Sequence, residues 1–309
     1  MITFSRLGKK GNLGNQMFQI ASTVGIALKN DQEFSFPKWE YSEYFITKLP
    51  LIQKFENFES VKEKSYKYND LKLEEGNYDL DGWLQSEKYF DERIIKGLFL
   101  FEEKFINGLL NNYKFLFNKK TIIISIRRGD FINHPYYFQL SIKYYFLALI
   151  KNFPDWRERN LIFTSDDITY CKYHFSFLKN AFFLEKLTAI EQLALGSQCD
   201  DFVISNSTFS WWLAWLGEKE NSKIIRPVKN FRDEFAMKND DSDYFPSRWI
   251  SFDDNSYSLG WKYCNLNVKA FFYNLRVNSK FRYSYCSKIV KNHLKWCLAL
   301  LKLYKRVEP

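Results

Sequence analysis

Histidine and cysteine are scarce in this chain, and that removes most metal chemistry from consideration. Three histidines and five cysteines stand in 309 residues, with no CxxC pair and no zinc-ligand spacing, so no metal site is expected. The five thiols (Cys171, Cys199, Cys264, Cys286, Cys297) suit a reducing cytoplasm better than a disulfide framework. Apolar runs are short as well. Trp296 to Leu301 has six residues, against the roughly 18 needed to span a bilayer. The opening MITFSRLG is too polar and too short for a signal peptide, and a soluble globular chain is expected. Neither GxxxxGK nor GxGxxG occurs, which excludes a P-loop and the dinucleotide fingerprint.

An excess of positive charge is missing from the body of the chain. The net charge is +9, but between Lys280 and Pro309 eight basic side chains face only Glu308. The remainder is nearly neutral, which argues against a nucleic-acid surface. In the tail, Ile289, Trp296, Leu298, Leu300 and Leu301 alternate with lysines. That pattern suits either a helix lying on anionic lipid, at the cytoplasmic face of a membrane, or a terminal helix packed on the protein. A packed helix is expected at Cys264 to Leu275.

What is present is a run of strands alternating with helices. Ile2 to Leu7 reads as a strand, followed by Gly11-Asn-Leu-Gly-Asn-Gln16 and an amphipathic helix from Gln16 to about Lys29. Residues 30–80 lack clear periodicity. Tyr78 to Leu84 reads as strand and Ser86 to about Asn118 as helix. A second block starts at Thr121 to Ile126 (TIIISI), a β-branched run typical of a strand covered on both faces. Strands at 160–164, 181–184, 201–204 and 223–226 alternate with helices after it, which implies parallel, doubly wound sheets. The expected division is 1–118, 119–262 and a basic helical tail, 263–309.

Ligands of open parallel sheets sit at the carboxyl ends of the strands, and polar segments stand at these ends. Asn15 and Gln16 in the glycine loop could bond phosphate or sugar hydroxyls, or serve a plain capped turn. Arg127-Arg128-Gly129-Asp130 follows TIIISI; its guanidiniums suit a diphosphate, with Asp130 holding an arginine or accepting a hydroxyl proton. Asp166 and Asp167 end another strand and could bind a metal, cap a helix or accept from the N–H edge of a base. Ser205-Asn-Ser-Thr-Phe-Ser-Trp-Trp212 breaks from an apolar strand into small donors and opens an aromatic helix, a way to present backbone N–H groups to an anion. Asp81-Gly-Trp-Leu-Gln-Ser-Glu-Lys-Tyr-Phe90 offers Trp83 and Tyr89 as sugar platforms, and Glu87 as a weaker base candidate than Asp130.

GNLGNQMFQIA, DGWLQSEKYF, RRGD, FTSDD and SNSTFSWWLAWL occur in this order and spacing. Over residues 6 to 250 the chain resembles the inverting α1,2-fucosyltransferases of glycosyltransferase family 11. The resemblance implies a GT-B-like fold of two Rossmann-like domains, with parallel sheets facing a central cleft. It also implies metal-independent transfer of L-fucose from GDP-L-fucose to a terminal galactose of a glycan, as in lipopolysaccharide O-antigen assembly. By position it gives Arg127 the diphosphate, with Arg128 beside it, and Asn206, Ser207 and Thr208 the phosphate-facing segment. Asp166 and Asp167 fall to the guanine, and Asn15 approaches the donor from the first domain. One departure is Ser125, where the family carries a base-contacting histidine. It leaves open another GDP-deoxyhexose as donor, or a glycan- or sugar-nucleotide-binding protein without catalysis.

Overall fold

The computed structural model describes residues 1–54, 56–129, 131, 132, 134–263 and 265–276. Asp130 and the tail from 277 onward, with the membrane-contact expectation placed on it, lie outside the described residues. The chain divides into two compact units, Met1–Ser258 and Leu259–Pro309. In the second, residues 265–276 are helical. Among the described residues no helix is long and apolar enough to cross a membrane.

The first unit holds two sheets, both wholly parallel. The first begins with β1 (Ile2–Thr3), α1 (Leu13–Lys29), β2 (Phe34–Ser35), β3 (Glu59–Lys62) and β4 (Tyr78–Asp81), in the spatial order β2-β1-β4-β3. Next come α2 (Glu92–Leu98) and α3 (Glu103–Tyr113). The second sheet is built from β5 (Thr121–Ile126), α4 (Ile142–Asn152), β6 (Asn160–Ser165), α5 (Ile168–Phe175), β7 (Ala181–Phe183), α6 (Ala189–Gly196), β8 (Asp201–Ile204), α7 (Thr208–Gly217), β9 (Ile224–Pro227), α8 (Asp233–Lys238) and β10 (Ile250–Phe252). Its order is β10-β9-β8-β5-β6-β7. This is the parallel α/β arrangement expected from the alternation, and the GT-B-like one that the resemblance implies.

Strand order fixes where a ligand can bind. From β5 the chain proceeds to β6 and β7 on one side, then returns to place β8 on the other. Between β5 and β8 the connections diverge and leave a crevice at the carboxyl edge. The first sheet has the same switch between β1 and β4. All six positions of β5 are buried, as a central strand covered on both faces requires.

Helix α7 joins the sheets. Trp211, Trp212 and Trp215 are fully buried, so the helix is apolar all round and has protein on every side. Phe18 of α1 packs on Trp211 and Trp212, at ring centroid distances of 4.5 and 5.0 Å. Phe90 and Phe99 reach Trp212 at 5.9 and 5.2 Å. The tryptophans form core between the halves.

The stretch after Ser86 is not one helix. Ser86 caps a single 3-10 turn, Asp91 caps α2 by accepting from the N–H groups of Arg93 and Ile94, and the chain extends through Leu100. Tertiary packing wins over helical periodicity here. Phe99 and Phe101 both turn onto Phe45, 5.4 and 5.0 Å away, while Ile46 N–H donates to the Leu100 carbonyl. The first strand is also shorter than expected: after Thr3 the chain turns, and Ser5 donates its N–H and hydroxyl to Asp79.

Candidate active site

The two switch points open onto one cleft of about 260 Å³. The first sheet lines it with Asn12 after β1, the first turn of α1 (Leu13 to Gln16) and Gln85 after β4; the second contributes Arg127 after β5 and Asn206 to Thr208 after β8. Helices α1 and α7 both begin here. The first-turn N–H groups of each have no intrahelical acceptor and carry the positive end of the helix dipole. The two ends touch: a Cβ on Gly14 would meet Thr208 and Phe209 backbone atoms at 2.5 Å. Only glycine permits this approach, which brings two positive helix ends to one place.

Arg127 supplies the fixed charge. Its guanidinium lies 5.0 Å from the Phe209 ring centroid, and its Nη2 is 3.5 Å from Asp166 Oδ2. The buried Nε has no hydrogen-bond partner among the described residues. A buried, unsatisfied guanidinium N–H is costly unless something accepts from it, and a phosphate oxygen is a suitable acceptor.

Asp166 organises the arginine loop. Its Oδ1 accepts from Arg128 N–H and its Oδ2 from Gly129 N–H, both at 2.9 Å. A Cβ on Gly129 would come within 2.6 Å of Asp166 Oδ2. The register explains the partnership: Ile126 pairs with Ser165, so the next residue of each strand meets across the sheet edge. Asp167 caps α5 through Tyr170 N–H at 3.0 Å and accepts from Arg128 Nε at 3.3 Å. Arg128 also lies 3.8 Å from the Tyr170 ring centroid. It borders a neighbouring recess of about 30 Å³ rather than the main cleft. Neither Asp166 nor Asp167 lines the cleft, and a guanine contact by either would compete with these bonds.

The hydroxyl-rich segment divides its work. Asn206 Nδ2 donates to the carbonyls of Phe138 and Asn230, which fixes the turn. Ser207 Oγ caps α7 through Phe209 N–H. Ser205, Ser210 and Ser125 form a buried hydroxyl chain with spacings of 2.8 and 2.7 Å. Ser125 therefore lies beneath the cleft, fully buried and engaged with α7. On the opposite wall, Asn15 Oδ1 accepts from Gln85 Nε2 at 2.8 Å. Gln16 donates to the Gly11 carbonyl and accepts from Trp39 Nε1, which draws the segment after Trp39 to the cleft.

Of the residues singled out by sequence, Asn15, Arg127, Asn206, Ser207 and Thr208 line the cleft. Arg128, Asp166 and Asp167 support it, and Asp130 lies outside the described residues. Glu87 is elsewhere: its carboxylate accepts from Arg248 at 2.8 and 2.9 Å and from Trp215 Nε1 at 3.1 Å. The sequence reading missed Glu40, Tyr41, Tyr137, Asn230 and Tyr244, all in the lining. Asn230 stands three residues past the end of β9, a position that strand-end reasoning could have found. Tyr41 is held above its ordinary pKa by burial first and then by the neighbouring Glu40 carboxylate. Among the described residues no group of three or more His, Cys, Asp or Glu could hold a metal ion.

Fold and cleft define an α/β protein whose two parallel sheets turn helix N-termini and an arginine toward one cleft, a setting suited to an anion. A family model, Glycosyl transferase family 11, matches residues 6–253. The chain belongs to that family. It is 31% identical over 185 residues to the O-antigen biosynthesis glycosyltransferase WbnK of Escherichia coli, which covers 54% of this chain and 61% of the relative. The chain thus spans about three fifths of WbnK's length. It is 26% identical over 284 residues to an alpha-1,2-colitosyltransferase of Escherichia coli, covering 78% of this chain and 96% of the relative. Among solved structures, NodZ alpha-1,6-fucosyltransferase soaked with GDP-fucose is similar at a TM-score of 0.45 and 14% identity, covering 70% of this chain and 92% of that one.

Proposed function

We propose that this chain moves L-fucose from GDP-L-fucose to the 2-hydroxyl of a terminal galactose on a glycan, with inversion. The observation that carries the reading is the meeting of two helix N-termini and Arg127 at one cleft formed by both switch points. In this mechanism Arg127, with first-turn N–H groups of α7, stabilises the charge that develops on the departing diphosphate. Such fixed donors need no reorganisation as the bond breaks. Asn15 faces the donor from the other wall. Arg128, Asp166 and Asp167 keep the arginine loop in place. The galactose hydroxyl attacks from the face opposite the diphosphate, and Glu40 takes its proton. Glu40 is the one carboxylate among the described lining residues. The catalytic role earlier given to Asp130 then becomes the alternative for the same step.

Residues 1–118 are assigned to the acceptor side and 119–262 to the nucleotide sugar. Transfer on the cytoplasmic side, with the basic segment after 280 on anionic lipid, completes the proposal; flotation of liposomes with the intact chain tests that part. A second reading, transfer of colitose or another GDP-linked deoxyhexose, is favoured by the colitosyltransferase relative. A screen of GDP-sugars against a galactoside, followed by GDP release and NMR of the product linkage, separates the readings. Fucosyl transfer to the galactose 2-hydroxyl is expected. Release with another deoxyhexose alone would replace the donor, and no release with any GDP-sugar would refute the transferase assignment.

A further inference from the structure

A second opening of about 300 Å³ lies at the carboxyl edge of the first sheet, outside the cleft just described. It is bordered by Lys62 at the end of β3, Asp81 at the end of β4, Lys10 in the loop after β1, and Asn239 following α8. The same loops serve both openings. Lys10 borders the second opening and Asn12 the cleft; Trp83 borders the second opening and Gln85 the cleft. The two cavities are neighbours along one sheet edge.

The wall of this opening is built around a half-buried indole. Trp83 and Leu84 donate their backbone N–H groups to the two oxygens of Glu63, at 2.6 and 2.9 Å. Leu84 takes a φ of 52°, a left-handed conformation that leucine seldom adopts. The glutamate thus holds a strained turn that keeps Trp83 at the opening. Lys10 Nζ sits 4.9 Å from the indole centroid and 2.8 Å from Asp81 Oδ1, and its side chain is largely buried. The outcome is an aromatic surface with a fixed ammonium over the ring, and with a carboxylate and Asn239 at its border.

We infer that this opening is a carbohydrate subsite, which takes a pyranose of the acceptor glycan adjacent to the reacting galactose. A pyranose has an apolar C–H face that matches the indole and a rim of hydroxyls that can bond to charged and amide groups. The inference rests on the transferase reading for the identity of its ligand, while the wall itself is independent of that reading.

The test compares a simple methyl galactoside with oligosaccharides ending in galactose, using the full chain, its Trp83→Ala and Trp83→Phe variants, and GDP-sugar donor. The wild type is expected to show a KM about tenfold lower for the longer acceptors, the advantage that burying one sugar face can supply. Trp83→Ala removes that advantage and Trp83→Phe restores part of it, while GDP affinity is retained in both. An advantage that survives Trp83→Ala, or is absent from the wild type, overturns the subsite. So does a loss of GDP affinity in the variants, which would make the indole a support of the donor cleft. Saturation-transfer NMR with the same oligosaccharides needs no turnover. If the wild type transfers to no galactoside, the function falls; contact of the oligosaccharide with the wild type but not with Trp83→Ala still upholds the subsite, and equal or absent contact overturns it.

Discussion

Gly14 and Thr208 are in backbone contact: a Cβ on the glycine would lie 2.5 Å from the threonine carbonyl carbon. The atoms it would strike are main chain at the start of α7, so no side-chain rotation relieves the clash. Gly14→Ala should push the two helix ends apart and destabilise the fold by about 1–3 kcal/mol, the usual cost of overpacking. Urea denaturation reads the stability, and calorimetric titration with GDP reads the anion site. Both should worsen. Unchanged GDP affinity would mean that the paired helix ends do not form the phosphate site.

Arg127 is expected to be irreplaceable even by lysine. Its guanidinium is fixed between Asp166 and the Phe209 ring, with its Nε facing no acceptor among the described residues. Lysine keeps the charge but loses the fork that can bond two phosphate oxygens at once. Arg127→Lys should slow transfer by about 100-fold or more, the scale seen when one fixed donor to a developing anion is removed. Circular dichroism should match the wild type, since the side chain is not part of the core. Full turnover in the lysine variant would contradict the assignment.

Asp166 offers a sharper test because two roles can be separated. If it acts by holding the arginine loop, Asp166→Asn should weaken GDP and inorganic pyrophosphate in similar proportion. The expected loss is about tenfold, as charge-assisted bonds to two backbone N–H groups are exchanged for weaker ones. A carboxylate that reads guanine would instead affect GDP and leave pyrophosphate alone. The observed bonds to Arg128 and Gly129 favour the first outcome.

That role of Asp166 shows where sequence reading stops. The loops after β5 and β8 were legible because apolar strands ended abruptly in arginines and hydroxyls. Asp166 was visible as a strand-end acid, but its partner follows from the pairing of Ile126 with Ser165, a register that no local pattern encodes. Ser125 was noted as a departure at a base-contacting place. The structure instead turns it inward to Ser210, because side chains alternate along β5. Glu40 and Tyr41 were missed for another reason. They lie in an aperiodic stretch, brought to the cleft by a single long-range bond from Trp39 to Gln16. The helix expected over 86–118 broke where Phe99 and Phe101 found Phe45, a contact between residues far apart in sequence.

Alkaline pH should destabilise the protein through its buried thiols. Burial pushes Cys171 and Cys199 from 9.0 up to about 12 in the folded chain. Below pH 9 both are protonated whether folded or unfolded, and their contribution is fully present. Between about pH 9 and 12 the unfolded chain releases these protons and the folded chain keeps them, so stability falls as pH rises. Each thiol contributes a slope of about 1.4 kcal/mol per pH unit within that window. Buried Tyr144, Tyr145 and Tyr244, raised well above 10.0 by desolvation, steepen the fall above pH 10. Urea denaturation across this range should show the decline, and a Cys171→Ala, Cys199→Ala double variant should show a shallower one between pH 9 and 10. Equal slopes would remove the thiols from the account.

Glu40 carries the remaining step, and its placement makes the expectation specific. Trp39, immediately before it, is buried, stacks on Phe45 at 5.5 Å and donates its indole N–H to Gln16 at 2.8 Å. These contacts tie the segment that carries Glu40 to α1, and Glu40 lines the cleft together with Tyr41, Tyr137 and Tyr244. Glu40→Gln keeps the shape and removes the base. It should lower kcat by about 100-fold or more, within the range of general-base catalysis, while GDP affinity stays near that of the wild type. Glu40→Asp should recover part of the rate. If Glu40→Gln turns over within about twofold of the wild type, the hydroxyl proton leaves by another route, and Asp130→Asn becomes the variant to measure.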